Sequence, residues 1–392
     1  MHRLTLVVTH QCNFDCDYCL QCHEDKAMSF ETAKTAVDEL QTRMLFEQTA
    51  ASTVHLQGAV MAGVPAPTAP QNNSCRVDNQ AQISFYGGEP LLQKDLIRQV
   101  VNYSYATIGQ ELGAKVLYEI TTNGTLLDED FIEFAKKRNI LLALSHDGAA
   151  QDPVRHDRGG NPTREKVDEK LDLMLSHFPG TIIMMTVHPK YAGTVSESIR
   201  FFHEKGVRTV NITLAHGGRV DWTDECFEVL SSEMEKVEAM YEEWNRGEEQ
   251  FRIVPFENKI RRFICQKDAD NPTCHFGRKK VMVDVDGKYY PCNHFIGKEE
   301  FAAGDLASGI DVAKLRDLEA RRIEPEDCKE CAIRSRCHHT CACANHGHTG
   351  CLDKVSALQC EYEKLIIRLA DKAASELIRP ENTAFVERMY KE

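Results

Sequence analysis

Three cysteines near the start of the chain have the spacing of a metal-binding or cluster-binding loop. Cys12, Cys16 and Cys19 follow the pattern C-x3-C-x2-C. They come directly after an apolar run at residues 4–8, which predicts a short buried strand. Three thiolates from one tight loop can bind one face of an iron–sulfur cluster, and because such a cluster takes four ligands, one iron would stay open to another molecule. The alternative is half of a zinc site, completed by a Cys or His in the residues that follow.

The rest of the chain predicts the elements that would position this loop. Strand-like and helix-like segments alternate, which is typical of parallel strands joined by crossover helices. The predicted strands are residues 4–8, 82–86, 116–122, 140–145, 181–188 and 207–214. The predicted helices are residues 28–47, 93–112, 128–137, 164–178, 194–205 and 223–245. Six strands are two short of a closed eight-stranded barrel, so we expect an α/β fold whose sheet stays open.

Residues 48–80 interrupt this alternation. Ala, Gly, Pro, Gln and Asn dominate the segment, a composition typical of long loops or disordered insertions. We therefore predict a first domain at 1–245 with an insertion near 48–80. Residues 246–392 form the second predicted region, and most of the sixteen cysteines lie there.

Polar residues follow several of the predicted strands. In parallel α/β folds the carboxyl ends of the strands are where ligands bind. Glycines at such an end allow the backbone to come close to a ligand. Each motif alone is also typical of an ordinary strand–helix turn. An arginine at such a strand end is also typical of a surface ion pair. The residues at or just beyond these ends are Gly87, Gly88, Glu89, Pro90, Thr122, Asn123, Ser145, Asp147, Arg155 and Arg158.

Together, the cysteine loop and these strand ends resemble the radical S-adenosylmethionine (SAM) enzymes. The likeness includes an aromatic residue, Tyr18, just before the last cysteine of the loop. It implies a partial (β/α)6 TIM-like barrel, a [4Fe–4S] cluster on the three cysteines, and SAM bound at the open iron. In that family an electron from the cluster splits SAM, and the resulting 5′-deoxyadenosyl radical takes hydrogen from a substrate.

The resemblance also implies roles for the strand-end residues. The Gly-Gly-Glu-Pro motif, with Glu89, would hold the amino group of SAM. Thr122 or Asn123 would reach the ribose hydroxyls. Asp147 belongs to a Ser-x-Asp-Gly segment that starts at Ser145. The SAM carboxylate would be bound by Ser145 and an arginine, Arg158 in preference to Arg155.

A second cysteine pattern occupies the last third of the chain. Residues 280–290 alternate around Asp286-Gly287, which predicts a β-hairpin with a type I′ turn. The cysteines read C-x12-G-x4-C, then C-x2-C-x5-C-x3-C, then a final cysteine. This order resembles the SPASM extension of radical SAM enzymes, and we expect a small cysteine-rich domain with a hairpin and a C-terminal helix. The seven matching positions are Cys274, Cys292, Cys328, Cys331, Cys337, Cys341 and Cys360.

The SPASM resemblance implies two auxiliary [4Fe–4S] clusters, hence three clusters in all. The first would take Cys274, Cys292 and Cys341, with Cys265 a possible fourth ligand. An open iron able to bind a substrate thiolate is the alternative to Cys265. Cys343 and Cys351 compete for two of these roles, and a zinc ribbon is a further reading. The second cluster would take Cys328, Cys331, Cys337 and Cys360.

Proteins with this extension mostly act on peptides or proteins, and two branches are open. The anaerobic sulfatase-maturating enzymes carry an Asp base directly after the second hairpin cysteine, but this chain has Asn293 there. An amide cannot act as a general base, although His294 could stand in. We therefore predict a maturase that forms a thioether or other side-chain crosslink in a ribosomally made precursor peptide, with formylglycine-generating sulfatase maturation as the alternative.

Composition and charge set the expected partners and location. The 47 basic and 60 acidic residues give a net charge of −13, which argues against a nucleic-acid partner. No apolar run reaches the roughly 18–20 residues of a membrane span, and no signal region precedes the first strand. We expect a cytoplasmic protein that receives electrons from a flavodoxin- or ferredoxin-like donor. Because the chain starts at the first barrel strand, a separate protein could bind the leader. A multi-cluster electron carrier or zinc-binding protein is the distant, non-enzymatic alternative.

Overall fold

The computed structural model describes residues 2–21, 23–61, 79–217, 219–265, 276–277 and 280–391, with backbone alone for 48–61 and 391. Thirteen strands lie in these residues: β1 (His2–Thr9), β2 (Phe14–Cys16), β3 (Gln80–Gly87), β4 (Lys115–Thr122), β5 (Ile140–Ser145), β6 (Arg155–Asp157), β7 (Ile182–Val187), β8 (Thr209–Leu214), β9 (Arg252–Ile253), β10 (Lys280–Val283), β11 (Tyr289–Tyr290), β12 (Gly304–Asp305) and β13 (Gly309–Ile310).

The same residues contain thirteen α-helices, most of them crossovers or C-terminal elements. They are α1 (Phe30–Met61), α2 (Lys94–Ser104), α3 (Glu129–Arg138), α4 (Gln151–Val154), α5 (Arg164–His177), α6 (Val195–Glu204), α7 (Asp224–Trp244), α8 (Val254–Cys265), α9 (Val312–Ala320), α10 (Glu326–Lys329), α11 (Ala342–Thr349), α12 (Ala357–Leu377) and α13 (Thr383–Lys391).

Nine strands form one open sheet at the centre of the molecule, in the order β11-β10-β1-β3-β4-β5-β7-β8-β9. All neighbours pair parallel except β10 and β11. The six predicted strands are the six consecutive members from β1 to β8, so the predicted open, partly wound α/β sheet is confirmed. β1 is buried from Leu4 onward, as expected for a parallel strand covered on both faces.

The C-terminal region extends this sheet beside β1. β10 pairs with β1 so that Arg3 lies opposite Lys280 and Leu6 opposite Val283. At the end of this pair His10 Nε2 lies 2.6 Å from Asp284 Oδ1, and both side chains are buried. The two regions predicted from the sequence therefore share one sheet.

The hairpin between β10 and β11 forms as predicted, but its turn differs. A type I′ turn needs positive φ at both central residues. Among the described residues only Asn139 and Phe276, besides glycines, have positive φ, so Asp286 does not, whereas Gly287 has φ +87°. The Gly287 amide donates to the Asp284 carbonyl oxygen over 2.9 Å. The loop is thus the three-residue form, a type I turn closed by a left-handed glycine.

Helix α1 corrects the predicted boundary of the insertion. Its start agrees with the prediction, because Ser29 Oγ accepts a hydrogen bond from the Thr32 amide over 3.0 Å, as a capping serine does. The backbone then stays helical to Met61 instead of ending near residue 47. Residues 48–61 contain no proline, and the first one comes at Pro65, so nothing local stops the helix. The remainder of the predicted insertion, residues 62–78, lies outside the described residues.

The two C-terminal helices, α12 and α13, pack against other helices. α12 packs against α7 and α8, and α13 packs against α8. The predicted helix at 93–112 is α2 followed by a π-helical stretch, Tyr105–Glu111. No helix in the described part of the chain is both long and apolar enough to cross a bilayer.

Candidate active site

The cysteine loop follows β1 and is held by a small strand pair. β2 pairs antiparallel with β6, and in this register Cys16 lies opposite Arg155. The Cys19 amide donates to the Cys16 carbonyl oxygen over 3.0 Å. The Phe14 amide donates to Cys12 Sγ over 3.4 Å. The strand pairing therefore brings a cation from a distant segment beside the thiols.

The three thiols line a cavity of about 240 Å³ at the carboxyl ends of the strands. Soft thiolate donors suit iron–sulfur clusters, so the donor set fits the predicted cofactor. Among the described residues, no three His, Cys, Asp or Glu side chains are gathered closely enough to hold a single metal ion. A preformed zinc site is thus not found there. The predicted strand-end residues on the cavity wall are Gly87, Gly88, Glu89, Thr122, Asn123, Ser145 and Arg155.

The thiols of the loop resist ionisation in the free chain. Burial raises the pKa of Cys12 to about 11 and the pKa of Cys16 to about 12. Burial also raises the pKa of Cys19. The positive charge of Arg155 favours all three thiolates but does not offset the burial. Iron must therefore displace three protons when it binds here.

The Gly-Gly-Glu-Pro motif packs against the backbone that leads into the cysteine loop. A Cβ atom at Gly87 would collide with the Thr9 carbonyl oxygen, and one at Gly88 with the Gln11 carbonyl oxygen. The Gly88 and Glu89 amides donate to these two oxygens over 3.0 and 2.9 Å. The glycines thus permit a close approach of the backbone to the segment before the cysteine loop, and both also line the cavity. Pro90 then starts a short 3₁₀ turn, Pro90–Gln93.

Glu89 is buried, and its carboxylate accepts three hydrogen bonds from the chain. These come from the Leu91 amide at 2.9 Å, the Thr122 hydroxyl at 2.7 Å and the Asn123 amide at 2.8 Å. Burial raises the pKa of Glu89, and these bonds work in the opposite direction. Glu89 therefore ties the end of β3 to the end of β4, besides lining the cavity.

Thr122 and Asn123 also use their polar groups within the chain. The Thr122 hydroxyl donates to Glu89 and accepts from the Gly124 amide over 2.9 Å. The side-chain amide nitrogen of Asn123 donates to Asn13 Oδ1 over 2.8 Å. The side-chain oxygen of Asn123 accepts from the Thr125 hydroxyl over 2.7 Å. Both residues line the cavity and link β4 to the cysteine loop through Asn13, and their contacts with the ribose stay a prediction.

Asp147 was predicted among the cofactor-binding residues, but its oxygens are occupied by the chain. Its carboxylate is fully buried and accepts from the Thr186 amide at 2.8 Å and from Arg155 Nε at 2.7 Å. The Tyr18 hydroxyl donates to the same carboxylate. The Arg155 guanidinium also lies 5.3 Å from the centre of the Tyr18 ring. Asp147 therefore positions Arg155 and Tyr18 and is not on the cavity wall.

The structure distinguishes the two candidate arginines. Arg155 is buried and lines the cavity beside the thiols. Arg158 is exposed and does not line it. The β2–β6 register thus places Arg155, and not the preferred Arg158, on the cavity wall. Ser145, the last residue of β5, lines the cavity as predicted.

A larger cavity of about 480 Å³ adjoins the first. This volume lies within the roughly 300–1,000 Å³ of sites that enclose small ligands. Residues of α8, α11 and α12 supply much of its remaining wall. The residues that line both cavities are Tyr18, Cys19, Gln21, Tyr86, Thr186 and Thr213.

Four histidines line the larger cavity, and His216 contacts two of the others. His216 stacks on His294 with ring centres 4.9 Å apart, and it lies 5.3 Å from His348. Burial lowers the pKa of His294 to about 4 and the pKa of His216 to about 3, so both rings are neutral at pH 7. In the part of the chain described, neither buried Nδ1 atom has a hydrogen-bond partner. Sequence analysis missed His216, although its position just after β8 was a usable signal.

Two neighbours hold these rings in place. Gly347 in α11 lies directly over His216, because a Cβ atom there would be 2.5 Å from His216 Nδ1. Asn293, at the position of the absent Asp base, accepts a hydrogen bond from the Cys292 thiol over 3.2 Å. The side-chain amide of Gln21 donates a hydrogen bond to the Asn293 carbonyl oxygen over 3.5 Å. This bond joins the turn after Cys292 to the cysteine loop.

A buried ion pair forms another part of the same wall. Lys259 Nζ lies 2.6 Å from Glu363 Oε2, and the two residues are only 2% and 3% exposed. Lys259 also donates to the Arg336 carbonyl oxygen over 2.8 Å. Glu363 accepts from the His338 amide over 2.9 Å. The sequence carried no signal for this pair, because its members are far apart in the chain.

The C-terminal cysteines fall into two groups. Cys292, Cys341 and Cys343 are mutually close, with 3.4 Å between the Sγ atoms of Cys341 and Cys343. Thiols in such a group suit an iron–sulfur cluster. Cys265 is exposed at the end of α8, and the predicted ligand Cys274 lies outside the described residues.

The second group contains Cys328, Cys331 and Cys360. Burial raises the pKa of Cys328, and the neighbouring thiols of Cys360 and Cys331 raise it further, so these three are close together. Cys337 lies near Glu363 and Lys259, and the second cluster stays a prediction. Cys351 is exposed.

Comparison with known proteins shows what parts of this chain are similar to. Residues 74–202 match the model of the Radical SAM superfamily. The chain is 27% identical over 216 residues to an uncharacterized protein of Methanocaldococcus jannaschii, covering 55% of this chain and 63% of that protein. It is 23% identical over 235 residues to the cysteine-type anaerobic sulfatase-maturating enzyme of Clostridium perfringens (strain 13), covering 56% and 61%. The chain thus aligns with less than two thirds of the length of these relatives.

Solved structures share the fold. Native anSMEcpe with bound AdoMet and the Kp18Cys peptide superimposes with a TM-score of 0.72 at 18% identity, covering 95% of this chain and 99% of that one. Streptococcus suis SuiB bound to the precursor peptide SuiA gives a TM-score of 0.52 at 14% identity, covering 91% and 75%. Residues 74–202 therefore match the radical SAM model, and the chain folds as the partial TIM-like barrel of anSMEcpe.

Proposed function

We propose that this chain is a maturase that oxidises a peptide, using SAM and a [4Fe–4S] cluster held by Cys12, Cys16 and Cys19. The observation that carries the proposal is the shared wall of the two cavities. A ligand beside the three thiols and a peptide side chain in the larger cavity would meet at Tyr18, Cys19 and their neighbours. Similar structures hold peptides, namely Kp18Cys in anSMEcpe and SuiA in SuiB.

The smaller cavity provides complementary groups for SAM. Arg155 and Ser145 would bind its carboxylate, and Glu89 with the Gly87-Gly88 turn would face its amino group. Arg155 is already oriented by Asp147, so little conformational entropy is lost when it binds an anion. When bound, SAM and the cluster would supply the radical that removes a hydrogen atom from the peptide.

The histidines of the larger cavity would serve as the base. Oxidation of a side chain by loss of hydrogen also releases a proton, and a neutral imidazole can accept it. His294 is neutral at pH 7 and lines the cavity. We propose His294 as the catalytic acceptor, with His216 stacked on it as the positioning residue.

The C-terminal cysteines would hold two auxiliary [4Fe–4S] clusters, giving three in the chain. One would use Cys292 and Cys341, and the other a second group of four cysteines. The clusters would take up the surplus electron from the peptide, while a flavodoxin- or ferredoxin-like protein supplies the first one. A separate protein would bind the leader segment of the precursor peptide. The second ligand group is Cys328, Cys331, Cys337 and Cys360.

The proposed product is a thioether or other side-chain crosslink in a precursor peptide. Asn293 supports this choice, because it replaces the Asp base by an amide that accepts the Cys292 thiol. The second candidate is formylglycine formation in a sulfatase. It is favoured by the likeness to the Clostridium perfringens enzyme and to anSMEcpe.

The first test is SAM cleavage by anaerobically reconstituted protein with dithionite. We expect 5′-deoxyadenosine from the parent and a loss of about 100-fold or more in Cys16→Ala, since the remaining two thiols cannot hold the cluster. Cys226→Ala, which changes a thiol on α7 away from both cavities, is the control and should match the parent. Equal cleavage by the parent and Cys16→Ala would overturn the proposal.

The second test separates the two candidate products by mass. Precursor peptides encoded near the gene, and a sulfatase peptide with the cysteine to be modified, are each incubated with the active protein. A crosslink removes two hydrogens from the peptide, whereas formylglycine formation replaces the sulfur of that cysteine by oxygen and also removes two hydrogens. Conversion of the sulfatase peptide alone would establish the second candidate.

A further inference from the structure

The cysteine group around β11 and α11 contains one thiol that the SPASM pattern does not use. Cys343 lies 3.4 Å from Cys341, measured between Sγ atoms. It is also within hydrogen-bonding reach of the Cys292 thiol. Cys343 thus lies between the two cysteines that are expected to share one auxiliary cluster.

Buried packing fixes this arrangement. Cys292 directly precedes the 3₁₀ turn Asn293–Phe295, and Phe295 is fully buried in a stack on Phe301, with ring centres 4.1 Å apart. His346 of α11 contacts both rings, at 5.4 and 5.2 Å. Because α11 and this turn share one aromatic core, the distance from Cys292 to Cys343 does not depend on a mobile loop.

The start of α11 carries two of these thiols. Cys341 is the residue that precedes the first helical position, and Cys343 is the second residue of the helix. Cys341 and Cys343 are therefore both presented from one rigid turn.

Cys265 has none of these features. It is the last residue of α8, and its side chain is exposed. Eight residues separate it from Cys274 in the sequence.

We propose that Cys343, and not Cys265, is the ligand that joins Cys292 and Cys341 on this auxiliary iron–sulfur cluster. The proposal rests on the proposed function only in that it needs the auxiliary cluster to exist. A coordination position filled by Cys343 is closed to a substrate thiolate. The cluster would then transfer electrons and would not bind the peptide.

The test is iron and sulfide analysis with Mössbauer spectroscopy of the full chain, reconstituted anaerobically. The variants are Cys343→Ala, Cys265→Ala and, as a matched control, Cys351→Ala, another exposed thiol. We expect Cys343→Ala to lose up to about four of about twelve iron atoms or to convert one cluster to a three-iron form. Cys265→Ala and Cys351→Ala should keep the iron of the parent.

Far-ultraviolet circular dichroism and the conservative variant Cys343→Ser distinguish ligand loss from misfolding. A Cys343→Ala protein with the parent's spectrum and reduced iron supports the proposal, as does an altered Mössbauer signal in Cys343→Ser. Parental iron and spectra in Cys343→Ala, or iron loss in Cys265→Ala alone, would overturn it. SAM cleavage is recorded in parallel, because its absence in the parent would contradict the proposed function without affecting the iron count.

Discussion

The two cysteine-bearing regions of this molecule are held together by different means. Around Cys12–Cys19 the scaffold is a nine-stranded sheet, and buried polar groups such as Glu89 and Asp147 tie the strand ends together. The C-terminal region has short elements, including the two-residue strands β12 and β13 and the four-residue helix α10. We therefore expect the first region to keep its structure without iron and the second to depend on metal ligation.

Removing the iron should show the largest difference between the regions. We expect chelation under oxidising conditions to increase amide exchange across residues 326–340 by orders of magnitude, because few buried apolar residues hold that segment. Exchange in β1, β3 and β4 should change little. Hydrogen-exchange mass spectrometry before and after iron removal measures both. Equal loss of protection in β3 and in α10 would contradict the comparison.

Arg155→Met tests the buried polar scaffold of the first region. The change leaves the fully buried Asp147 carboxylate without its cation, and breaking such a pair costs about 3–5 kcal/mol. We expect the lower end, because the Thr186 amide and the Tyr18 hydroxyl still donate to Asp147. Urea unfolding of the loaded protein measures the change.

Arg158→Met is the matched control for this substitution. Its side chain is exposed, so the free energy of unfolding should change by no more than about 0.5 kcal/mol. SAM binding should also weaken in Arg155→Met only. If the two variants behave alike, the assignment of Arg155 to the cavity is wrong.

Gly88→Ala tests the fit between the strand ends and the cysteine loop. The new Cβ atom would collide with the Gln11 carbonyl oxygen, and overpacking of this kind costs about 1–3 kcal/mol. We expect that loss in thermal or urea unfolding, with reduced iron retention at the loop. Gly180→Ala, where nothing lies within 4 Å of the new atom, should be neutral. A stable Gly88→Ala protein with full iron would refute the close approach.

Gly347→Ala should have the smallest effect on stability and a selective effect on chemistry. The added atom meets the ring of His216 at 2.5 Å, and that side chain can move. We expect less than about 1 kcal/mol of destabilisation. Peptide conversion should fall about tenfold while SAM cleavage is kept, since a displaced His216 no longer positions His294. Gly247→Ala, in open space, is the control.

Much of the first region could be predicted from the sequence because its signals are local. The cysteine spacing, the glycines before Glu89 and the apolar strands are each contained in a few consecutive residues. The choice between Arg155 and Arg158 could not be predicted in this way, because it depends on the pairing of β2 with β6. The roles of Thr122, Asn123 and Asp147 also depended on partners such as Asn13 and Thr186, which no local pattern identifies.

The second region was less predictable for the same physical reason. The hairpin was found from Asp286-Gly287, yet the parallel pairing of β10 with β1 joins residues nearly three hundred positions apart in sequence order. The neighbours of Cys343 and His216 depend on the packing of α11 against the turn after Cys292, which no local pattern indicates. Loop-rich cysteine domains encode their ligand order in the sequence, but not which neighbouring thiol is nearest.

The pairing of β1 with β10 has a consequence for biosynthesis. The ribosome makes β1 first and β10 only after most of the chain, an interval of roughly tens of seconds at about 5–20 residues per second. During that time one edge of β1 has no partner, and Asp284 has not yet reached His10. The cysteine loop at the end of β1 is therefore made long before β10 arrives beside that strand.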